Sequence, residues 1–371
     1  MAIIIFKPTH QCNLDCPFCY DRVKKTKDSK PMPVDKAIFA LQKAMDTSRN
    51  PQEDFEIIWH GGEPTLVGAD YIDQVCSHDY KHKIKWRMQT NMSLLTPQIA
   101  AVLKKHHIEI GGSWDGLAQE NPHYHHTEYI KNSTENLGYA HLLFVVTPEN
   151  CHDVIPSYLY ALEHHYDMQF NPVFGVNATV DQYEEMAWQL VELFDMIAQM
   201  PLVDIPRPFD DIMVDISNKE INFCEDIFCV GYWMCIESDG TVENCGHPWP
   251  KDLQFGNIFD ENFRTDQIQE TPGYKKLAKH LSDQFDHCKD CKWLRVCKNR
   301  CPYTNMDPVT HEFKFNEGTC KFRSIIAENV YKIIKTRAAD HTLRNEKIIE
   351  ALHSTVKREF IQWRDYKSPT I

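Results

Sequence analysis

Short apolar runs alternate with longer amphipathic segments between residues 2 and 175. The apolar runs have the length and composition of strands and cover residues 2–6, 55–59, 84–89, 107–111, 141–146 and 168–175. The amphipathic segments have the period of helices and cover residues 34–47, 69–79, 96–106, 127–137 and 153–165. Strands that alternate with helices form right-handed parallel βαβ units. The pattern therefore predicts an α/β fold, a partial (β/α)6 TIM-like barrel.

The pattern changes after this region. A longer amphipathic helix is predicted over 181–199, and a group of prolines then breaks the periodicity. The next segment is rich in cysteine and has little regular periodicity, as in small modules in which metal bonds replace a large core. Helical patterns return at 321–337 and 342–363. We therefore predict a barrel over 1–205, a cysteine-rich domain over 206–325 and a C-terminal helical tail over 326–371.

Charge and hydropathy restrict the possible partners. Lys and Arg number 40 against 53 Asp and Glu, which gives a net charge of −13. Because nucleic-acid binders need a basic surface, we expect no nucleic-acid partner. No apolar run approaches the roughly 18 residues of a membrane span, and the first residues lack the basic start of a signal peptide. We therefore expect a cytoplasmic protein with no membrane partner.

Cysteine is the residue type most informative about chemistry. The chain has 14 cysteines, and in a reducing compartment cysteines more often bind metal or take part in catalysis than form disulfides. Three of them, Cys76, Cys151 and Cys224, stand apart, and we expect them to be small buried thiols. The other eleven (14 minus 3) fall into two closely spaced groups. These two groups carry the functional predictions.

The first group, Cys12, Cys16 and Cys19, directly follows the first predicted strand. Three thiolates on one short loop can hold three corners of a four-iron cluster. The fourth iron is then left without a protein ligand, and a reactive metal centre needs such an open position. A structural zinc site would instead need a fourth ligand nearby, and His10 could supply it. The group therefore predicts a metal centre, with an iron–sulfur cluster favoured over zinc.

The spacing Cys12-x3-Cys16-x2-Cys19, with an aromatic residue before the last cysteine, resembles the signature of radical S-adenosylmethionine (radical SAM) enzymes. The resemblance implies that the amino and carboxylate groups of S-adenosylmethionine (SAM) chelate the open iron. It also implies that an electron from the reduced cluster cleaves SAM to methionine and a 5′-deoxyadenosyl radical, which abstracts hydrogen from a substrate. Phe18 and Tyr20, which flank the last cysteine, would then contact the cofactor.

Polar motifs also follow the next three predicted strands. The segment 60–65 (His-Gly-Gly-Glu-Pro-Thr) follows the second strand and resembles the family segment that holds the methionine amino group. The segments after the third and fourth strands resemble family segments that line the cofactor. Because α/β barrels carry their chemistry at the carboxyl ends of the strands, the placement of these motifs supports the resemblance. The predicted cofactor residues here are Gly61, Gly62, Glu63, Gln89, Asn91 and Ser113.

One residue that the resemblance leads us to expect is missing. Relatives often carry an arginine shortly after the fourth strand, where it meets the cofactor carboxylate. Residues 121–126 of this chain (Asn-Pro-His-Tyr-His-His) contain no arginine. His125 or His126 could replace it when protonated, or both could be ordinary surface histidines.

The second group contains eight cysteines, the right number for two fully ligated four-iron clusters, although zinc sites could use the same number. Their order, with Gly240 before the third cysteine, resembles the SPASM domain, which is appended to radical SAM enzymes that often modify peptides and proteins. The resemblance implies three four-iron clusters in all, with two of them auxiliary. The inner auxiliary cluster would be held by Cys229, Cys235, Cys245 and Cys301. The outer one would be held by Cys288, Cys291, Cys297 and Cys320.

The organisation also resembles anaerobic sulfatase-maturating enzymes, which oxidise a cysteine or serine of a target protein to formylglycine. Two positions differ from that family. Asp21 stands where relatives typically have tyrosine, and Gly246-His247 stands where they have a catalytic aspartate. Oxidation of a substrate radical needs a base within hydrogen-bond reach. We predict His247 as this base and Asp21 as the second candidate, and either could instead be a polar loop residue.

Three functions agree with these observations. The favoured one is a maturase that oxidises or cross-links side chains of a peptide or protein, for example of a ribosomally made peptide, with formylglycine formation as a variant. The second is a radical SAM dehydrogenase, epimerase or decarboxylase of a small metabolite. The third is a non-catalytic iron–sulfur or zinc protein. For the first two, we expect an external electron donor of the flavodoxin or ferredoxin type.

Overall fold

The computed structural model describes residues 2–24, 30–117, 126–173, 178–216, 229–297, 301–307 and 309–355. Six parallel strands form the first part of its sheet, and each is hydrogen-bonded to the next one along the chain. These strands are β1 Ala2–Phe6, β2 Phe55–Trp59, β3 Ile84–Thr90, β4 Glu109–Trp114, β5 His141–Val146 and β6 Asp167–Pro172. The predicted α/β fold class is thereby confirmed.

Helices connect these strands and cover the sheet. They are α1 Val34–Asp46, α2 Ala69–Cys76, α3 Pro97–Lys105, α4 Thr127–Leu137, α5 Val154–Glu163 and, after β6, α6 Val180–Ala198. Local signals fix where they begin. Thr96 accepts a hydrogen bond from the backbone N–H of Ile99 at the start of α3, and Thr179 forms a capping box with Gln182 at the start of α6.

The core lies between the sheet and these helices. Its largest fully buried side chains include Trp59 and Phe6, whose rings meet edge to face with centroids 5.3 Å apart, and Trp114 on β4. On β4 the buried positions are Ile110, Gly112 and Trp114, which is the two-residue alternation of a strand with one face in the core. Burial of these large apolar surfaces stabilises the barrel.

The fourth strand differs from its prediction over 107–111. It begins at Glu109, because His107 has a positive φ of 52°, which no strand residue adopts, and it continues to Trp114. Gly111 and Gly112 both lie inside the strand. A Cβ atom at Gly112 would lie 2.2 Å from the sulfur of Met92, so a larger residue there would have to displace the Met92 side chain.

The sheet continues beyond β1 into the cysteine-rich region. Strand β7 Trp233–Ile236 pairs in parallel with the free edge of β1, and β8 Thr241–Glu243 and β9 Gly256–Asn257 follow antiparallel. The nine strands of the sheet therefore run in the order β6-β5-β4-β3-β2-β1-β7-β8-β9. The barrel and the cysteine-rich region thus share one sheet. The sequence pattern predicts little regular structure in the cysteine-rich region and does not predict this sheet.

The remaining helices are α7 Phe209–Ile216, α8 Pro272–Cys288, α9 Leu294–Cys297, α10 Glu317–Ala339 and α11 Glu346–Thr355. Helix α10 corresponds to the prediction at 321–337, and it begins earlier because Asn316 caps it. Helix α11 overlaps the prediction at 342–363, whose end lies outside the described residues. Packing of α10 along α6, with an ion pair between Arg337 and Asp195, joins the C-terminal part to the barrel. The limits predicted at 205 and 325 remain predictions.

Among the helices in the described ranges, none is long and apolar enough to cross a membrane.

Candidate functional site

The loop with Cys12, Cys16 and Cys19 leaves the carboxyl end of β1 and turns back on itself. The backbone N–H of Cys19 donates to the carbonyl of Cys16 at 3.1 Å, and a short 3-10 turn over Tyr20–Val23 follows. Cys16 is buried, whereas Cys12 and Cys19 are half-buried. The three thiols therefore lie on one compact loop at the end of the barrel where β1 finishes.

The end of β2 lies directly against this loop. The backbone N–H of Gly62 donates to the carbonyl of Thr9 at 3.1 Å, and that of Glu63 donates to the carbonyl of Gln11 at 2.7 Å. A Cβ atom at Gly61 would lie 2.2 Å from the carbonyl oxygen of Thr9, and one at Gly62 would lie 2.0 Å from that of Gln11. Glycine is therefore needed here for contact with the cysteine loop itself.

Glu63 links the carboxyl ends of β2 and β3. It is buried, and its Oε1 accepts hydrogen bonds from the backbone and hydroxyl of Thr65 and from the hydroxyl of Thr90, at 2.6–3.0 Å. Its Oε2 accepts from the backbone N–H of Asn91 at 2.7 Å. Because a carboxylate oxygen has two lone pairs, Oε2 retains the capacity to accept from a cofactor ammonium group.

The other predicted cofactor residues extend this line of polar side chains. Asn91 donates to Asn13 of the cysteine loop at 3.0 Å. Gln89 on β3 donates to the hydroxyl of Ser113 on β4, also at 3.0 Å. The strand ends and the cysteine loop are thus tied together by side-chain hydrogen bonds, in the order that the sequence motifs suggested.

A fully buried lysine lies at the centre of the site. Lys7 directly follows β1, and its ammonium group donates to a carboxylate oxygen of Asp21 at 2.9 Å and to the carbonyl of Gly246 at 2.6 Å. A carboxylate oxygen of Glu237 lies 3.3 Å from the same ammonium group. Lys7 therefore joins the cysteine loop to the segments that follow β7 and β8.

Further ion pairs extend from this lysine. His10 lies 3.2 Å from Asp21 and 3.0 Å from Glu237, and Lys24 lies 3.1 Å from Glu237 and 2.8 Å from Glu243. Burial alone would lower the pKa of His10, but its hydrogen bonds to Asp21 and Glu237 outweigh burial and raise the pKa to about 9. His10 is therefore a cation at neutral pH. We call Lys7, His10, Asp21, Lys24, Glu237 and Glu243 the ion cluster.

The ion cluster bears on two sequence predictions. His10 uses both ring nitrogens in contacts with Asp21 and Glu237, so a zinc ion beside the cysteines would have to compete with two carboxylates for it. Asp21 is buried between Lys7 and His10; burial would raise its pKa, but its hydrogen bond to His10 and the charge of Lys7 lower it. A carboxylate held in this way has a lower affinity for a substrate proton, which weakens the case for Asp21 as a base.

His247 packs among other aromatic rings. Its ring is parallel to that of Tyr303, with centroids 4.5 Å apart, and meets the ring of Tyr20 edge to face at 4.9 Å. The hydroxyl of Tyr20 lies 3.3 Å from a nitrogen of His60. Burial, and then the charge of Lys7, lower the pKa of His247 to about 3 and that of His60 to about 4. Both imidazoles are therefore neutral at neutral pH.

The eight cysteines of the second group differ in burial. Cys229, Cys235, Cys245 and Cys301, the predicted inner set, are all buried. Those of the predicted outer set are half-buried or exposed: Cys288, Cys291, Cys297 and Cys320. Cys235 lies on β7 opposite Ile5 of β1, so this thiol lies directly beside the first strand of the barrel. Cysteine thiolates are the donors that iron–sulfur clusters need, and the division of these eight cysteines into two ligand sets remains a prediction.

Comparison with known families decides between the remaining classes. A model of the radical SAM superfamily matches residues 6–146, and a model of the SPASM iron–sulfur cluster-binding domain matches residues 224–292. Residues 6–146 therefore form a radical SAM domain, and residues 224–292 a SPASM domain. The cofactors of the chain are accordingly SAM, a [4Fe–4S] cluster that binds SAM, and auxiliary clusters in the SPASM domain, as predicted.

Relatives of this radical SAM protein include the cysteine-type anaerobic sulfatase-maturating enzyme of Clostridium perfringens (strain ATCC 13124). It is 25% identical over 340 residues, which cover 81% of this chain and 88% of the relative. The solved structure described as native anSMEcpe with bound AdoMet is 22% identical, with a TM-score of 0.76 over 90% of this chain and 98% of that one. A second structure, of anSMEcpe with AdoMet and the Cp18Cys peptide, has a TM-score of 0.74, 20% identity and coverage of 91% and 99%. The two structures share the fold of this radical SAM protein.

The replacement for the missing arginine stays a prediction. His125 lies outside the described residues, and His126 precedes α4, with its ring against that of Tyr129 at a centroid distance of 5.5 Å.

Cys224 also lies outside the described residues, whereas Cys76 and Cys151 are buried, as expected.

Sequence reasoning missed several residues of this radical SAM site. Lys7, His60, Glu237 and Tyr303 were not predicted, although each lies within a few residues of a predicted motif. Lys7 directly follows β1, and His60 directly precedes the paired glycines. A charged residue directly after a buried strand is the one signal that could have drawn attention to Lys7.

Proposed function

We propose that this radical SAM enzyme is a maturase that abstracts hydrogen from a side chain of a peptide or protein, leading to oxidation or cross-linking of that side chain. When bound, SAM and its cluster supply the hydrogen-abstracting radical. The observation that supports the proposal is the placement of β7, which pairs with β1 and sets the buried Cys235 opposite Ile5, two residues before Lys7 and the start of the cysteine loop. A fully ligated cluster at this position could accept the second electron of an oxidation.

We propose the following ligands and contacts. Cys12, Cys16 and Cys19 hold the SAM cluster, and the buried and the more exposed sets of SPASM cysteines hold the inner and outer auxiliary clusters, respectively. The polar line at the strand ends binds SAM, with Glu63 oriented by Thr65 and Thr90. Phe18 and Tyr20 line the cofactor beside the last cysteine. A cytoplasmic flavodoxin or ferredoxin would supply the electron.

We further propose His247 as the group that accepts the substrate proton, because Asp21 already accepts hydrogen bonds from Lys7 and His10. Burial lowers the pKa of His247 to about 3, so the ring is neutral but a weaker base than a free imidazole, and the assignment depends on its position two residues after the proposed ligand Cys245. We expect H247A to leave SAM cleavage intact and to abolish product, measured as 5′-deoxyadenosine and as modified peptide. H164Q, on the exposed end of α5, is the control and should change neither. Product at the wild-type rate in H247A would exclude the assignment.

A second candidate, formylglycine formation, is favoured by the similarity to the C. perfringens enzyme, whose name states that it matures sulfatases. The differences at Asp21 and at Gly246-His247 weigh against it. The two candidates differ in product, because only the second converts a cysteine or serine of a sulfatase peptide to formylglycine. Mass spectrometry of such a peptide after turnover separates them.

The experiment that tests the proposal uses anaerobically reconstituted enzyme, reduced in the presence of SAM. We expect 5′-deoxyadenosine to form faster when a substrate peptide is added, together with a change in the mass of that peptide. Candidate peptides are those encoded beside the gene and sulfatase-derived peptides with cysteine or serine. Stimulation only by small metabolites would contradict the maturase proposal and favour the dehydrogenase, epimerase or decarboxylase alternative.

A further inference from the structure

Three potential metal ligands converge at a position that the proposed reaction does not use. Cys151 and His152 lie in the connection between β5 and α5, and Glu185 lies in the second turn of α6. The Cys151 sulfur, a His152 ring nitrogen and a Glu185 carboxylate oxygen all lie within 4.8 Å of one another. His152 Nε2 and Glu185 Oε1 are 3.0 Å apart. Among the described residues, this is the group of three or more His, Cys, Asp or Glu side chains whose ligand atoms all lie within 4.8 Å of one another.

The ligand types and spacing fit zinc. Zinc in proteins is bound by thiolate, imidazole and carboxylate, and the ligand atoms of a tetrahedral site lie roughly 3 to 4 Å apart. Softer or harder cations fit less well, because a thiolate disfavours magnesium and calcium, and a single thiolate does not make an iron–sulfur site. Only small side-chain movements would be needed, because His152 and Glu185 are largely exposed, at 66% and 49% of their surface.

The position of the thiol also bears on metal binding. The Cys151 sulfur is fully buried and donates to the carbonyl of Pro148 at 3.6 Å, and the carboxylate of Glu185 lies beside it. A bound cation would take the place of the thiol proton, which would pass to solvent, and would balance the charge of Glu185.

We infer that Cys151, His152 and Glu185 bind one zinc ion, with water in the fourth position. The ion would fasten the turn before α5 to α6, two elements that already pack against each other. Because α6 in turn carries α10, the site would stabilise the last part of the barrel. This inference goes beyond the proposed reaction and does not depend on it.

The test uses iron-loaded enzyme, in which the cluster cysteines are occupied, dialysed against zinc ions alone. We expect one zinc per chain at unchanged iron content. Loss of a residue that only supports a metal ligand costs about 10- to 100-fold in affinity, so removal of a ligand itself should cost at least about tenfold. H152A and E185Q should each show this loss. E192Q removes an exposed carboxylate from the same helix and should bind zinc like the parent.

Zinc K-edge absorption gives an independent readout, with one sulfur at about 2.3 Å and two protein nitrogen or oxygen ligands near 2.0 Å. Zinc should also raise the thermal midpoint of the parent and of E192Q but not of H152A, because a ligand that binds the folded state stabilises it. Equal zinc uptake by H152A, E185Q and the parent would overturn the inference. So would a zinc spectrum without sulfur. Neither result would affect the test of peptide maturation.

Discussion

At the scale of single residues, Lys7 decides how the site is held together. A buried charge is tolerated only when it is paired, and the ammonium group of Lys7 has Asp21, Glu237 and the carbonyl of Gly246 around it. Its burial would lower the pKa of the lysine, yet the charges led by Glu237 keep the pKa well above its ordinary value. The lysine therefore stays charged and holds both carboxylates in place.

Substitution K7M should be strongly destabilising, because it removes the main partner of the buried carboxylate of Glu237 and one of the two cationic partners of Asp21. Breaking a buried pair in this way costs about 3–5 kcal/mol. We expect a loss of this size in the free energy of unfolding of the iron-loaded protein, measured by denaturant titration. K83M removes an exposed lysine that pairs with Asp54, and it should change stability by about 1 kcal/mol or less. Equal stability of the two variants would show that the ion cluster does not hold the site together.

The close contact at Gly62 gives a second prediction at this scale. In G62A the new methyl group would lie 2.0 Å from the carbonyl oxygen of Gln11, so the backbone of the cysteine loop has to move. We expect reduced iron retention and SAM affinity, measured after reconstitution by iron analysis and equilibrium binding.

Gly138 offers the matched control for this variant. It adopts a φ of +89° at the end of α4, and a methyl group added there would have no other atom within 4 Å, so G138A should cost only backbone strain of about 1 kcal/mol. If G62A kept the SAM affinity of G138A, the contact between the glycines and the cysteine loop would not shape the cofactor site.

Sequence spacing identifies functional residues that lie close together along the chain, but it does not identify residues whose partners are distant in sequence. The cysteine groups and the motif with Glu63 were recognisable because their members lie close together along the chain. The ion cluster was not, because members such as Lys24 and Glu237 are 213 residues apart in sequence. Only the pairing of β1 with β7 brings them together, and no local pattern encodes that pairing.

At the scale of elements, helix α8 shows why a regular element can escape prediction. Its buried residues include His280 and Gln284 beside Leu277, so its inner face does not appear as an apolar stripe. A ring nitrogen of His280 lies 3.1 Å from the carbonyl of Pro302, which connects the helix to the segment after Cys301. The barrel helices, in contrast, bury apolar residues at helical spacing, and their positions followed from the sequence.

His280 makes the stability of this connection depend on pH. Burial lowers its pKa below 6.5, so the unfolded chain binds a proton that the folded chain resists. Its stabilising contribution is therefore complete above pH 6.5 and is lost as the pH falls towards the folded-state pKa. We expect the thermal midpoint of H280Q to fall less between pH 7 and pH 5 than that of the parent. Parallel decreases in both proteins would mean that His280 does not contribute to acid sensitivity.

At the scale of the whole molecule, the shared sheet is the feature that joins chemistry to architecture. Strand β7 adds to the edge of β1, whose carboxyl end carries Lys7 and then the cysteine loop. The SPASM domain is therefore hydrogen-bonded to the element that positions the radical SAM site. Substitution of an inner cysteine should therefore perturb the barrel, whereas substitution of an outer cysteine should perturb only its own surroundings.

Two cysteine variants test this coupling. C235A removes a fully buried thiol from β7 opposite Ile5, whereas C291A removes an exposed thiol of the predicted outer set. We expect both to lose iron, because each removes a proposed cluster ligand. Only C235A should also reduce the formation of 5′-deoxyadenosine, because only this change perturbs the strand that supports the cysteine loop. If C291A reduced SAM cleavage as strongly as C235A, the outer cysteines would support the barrel as much as Cys235 does. The hydrogen bonds between β1 and β7 would then not explain how the SPASM domain affects the radical SAM site.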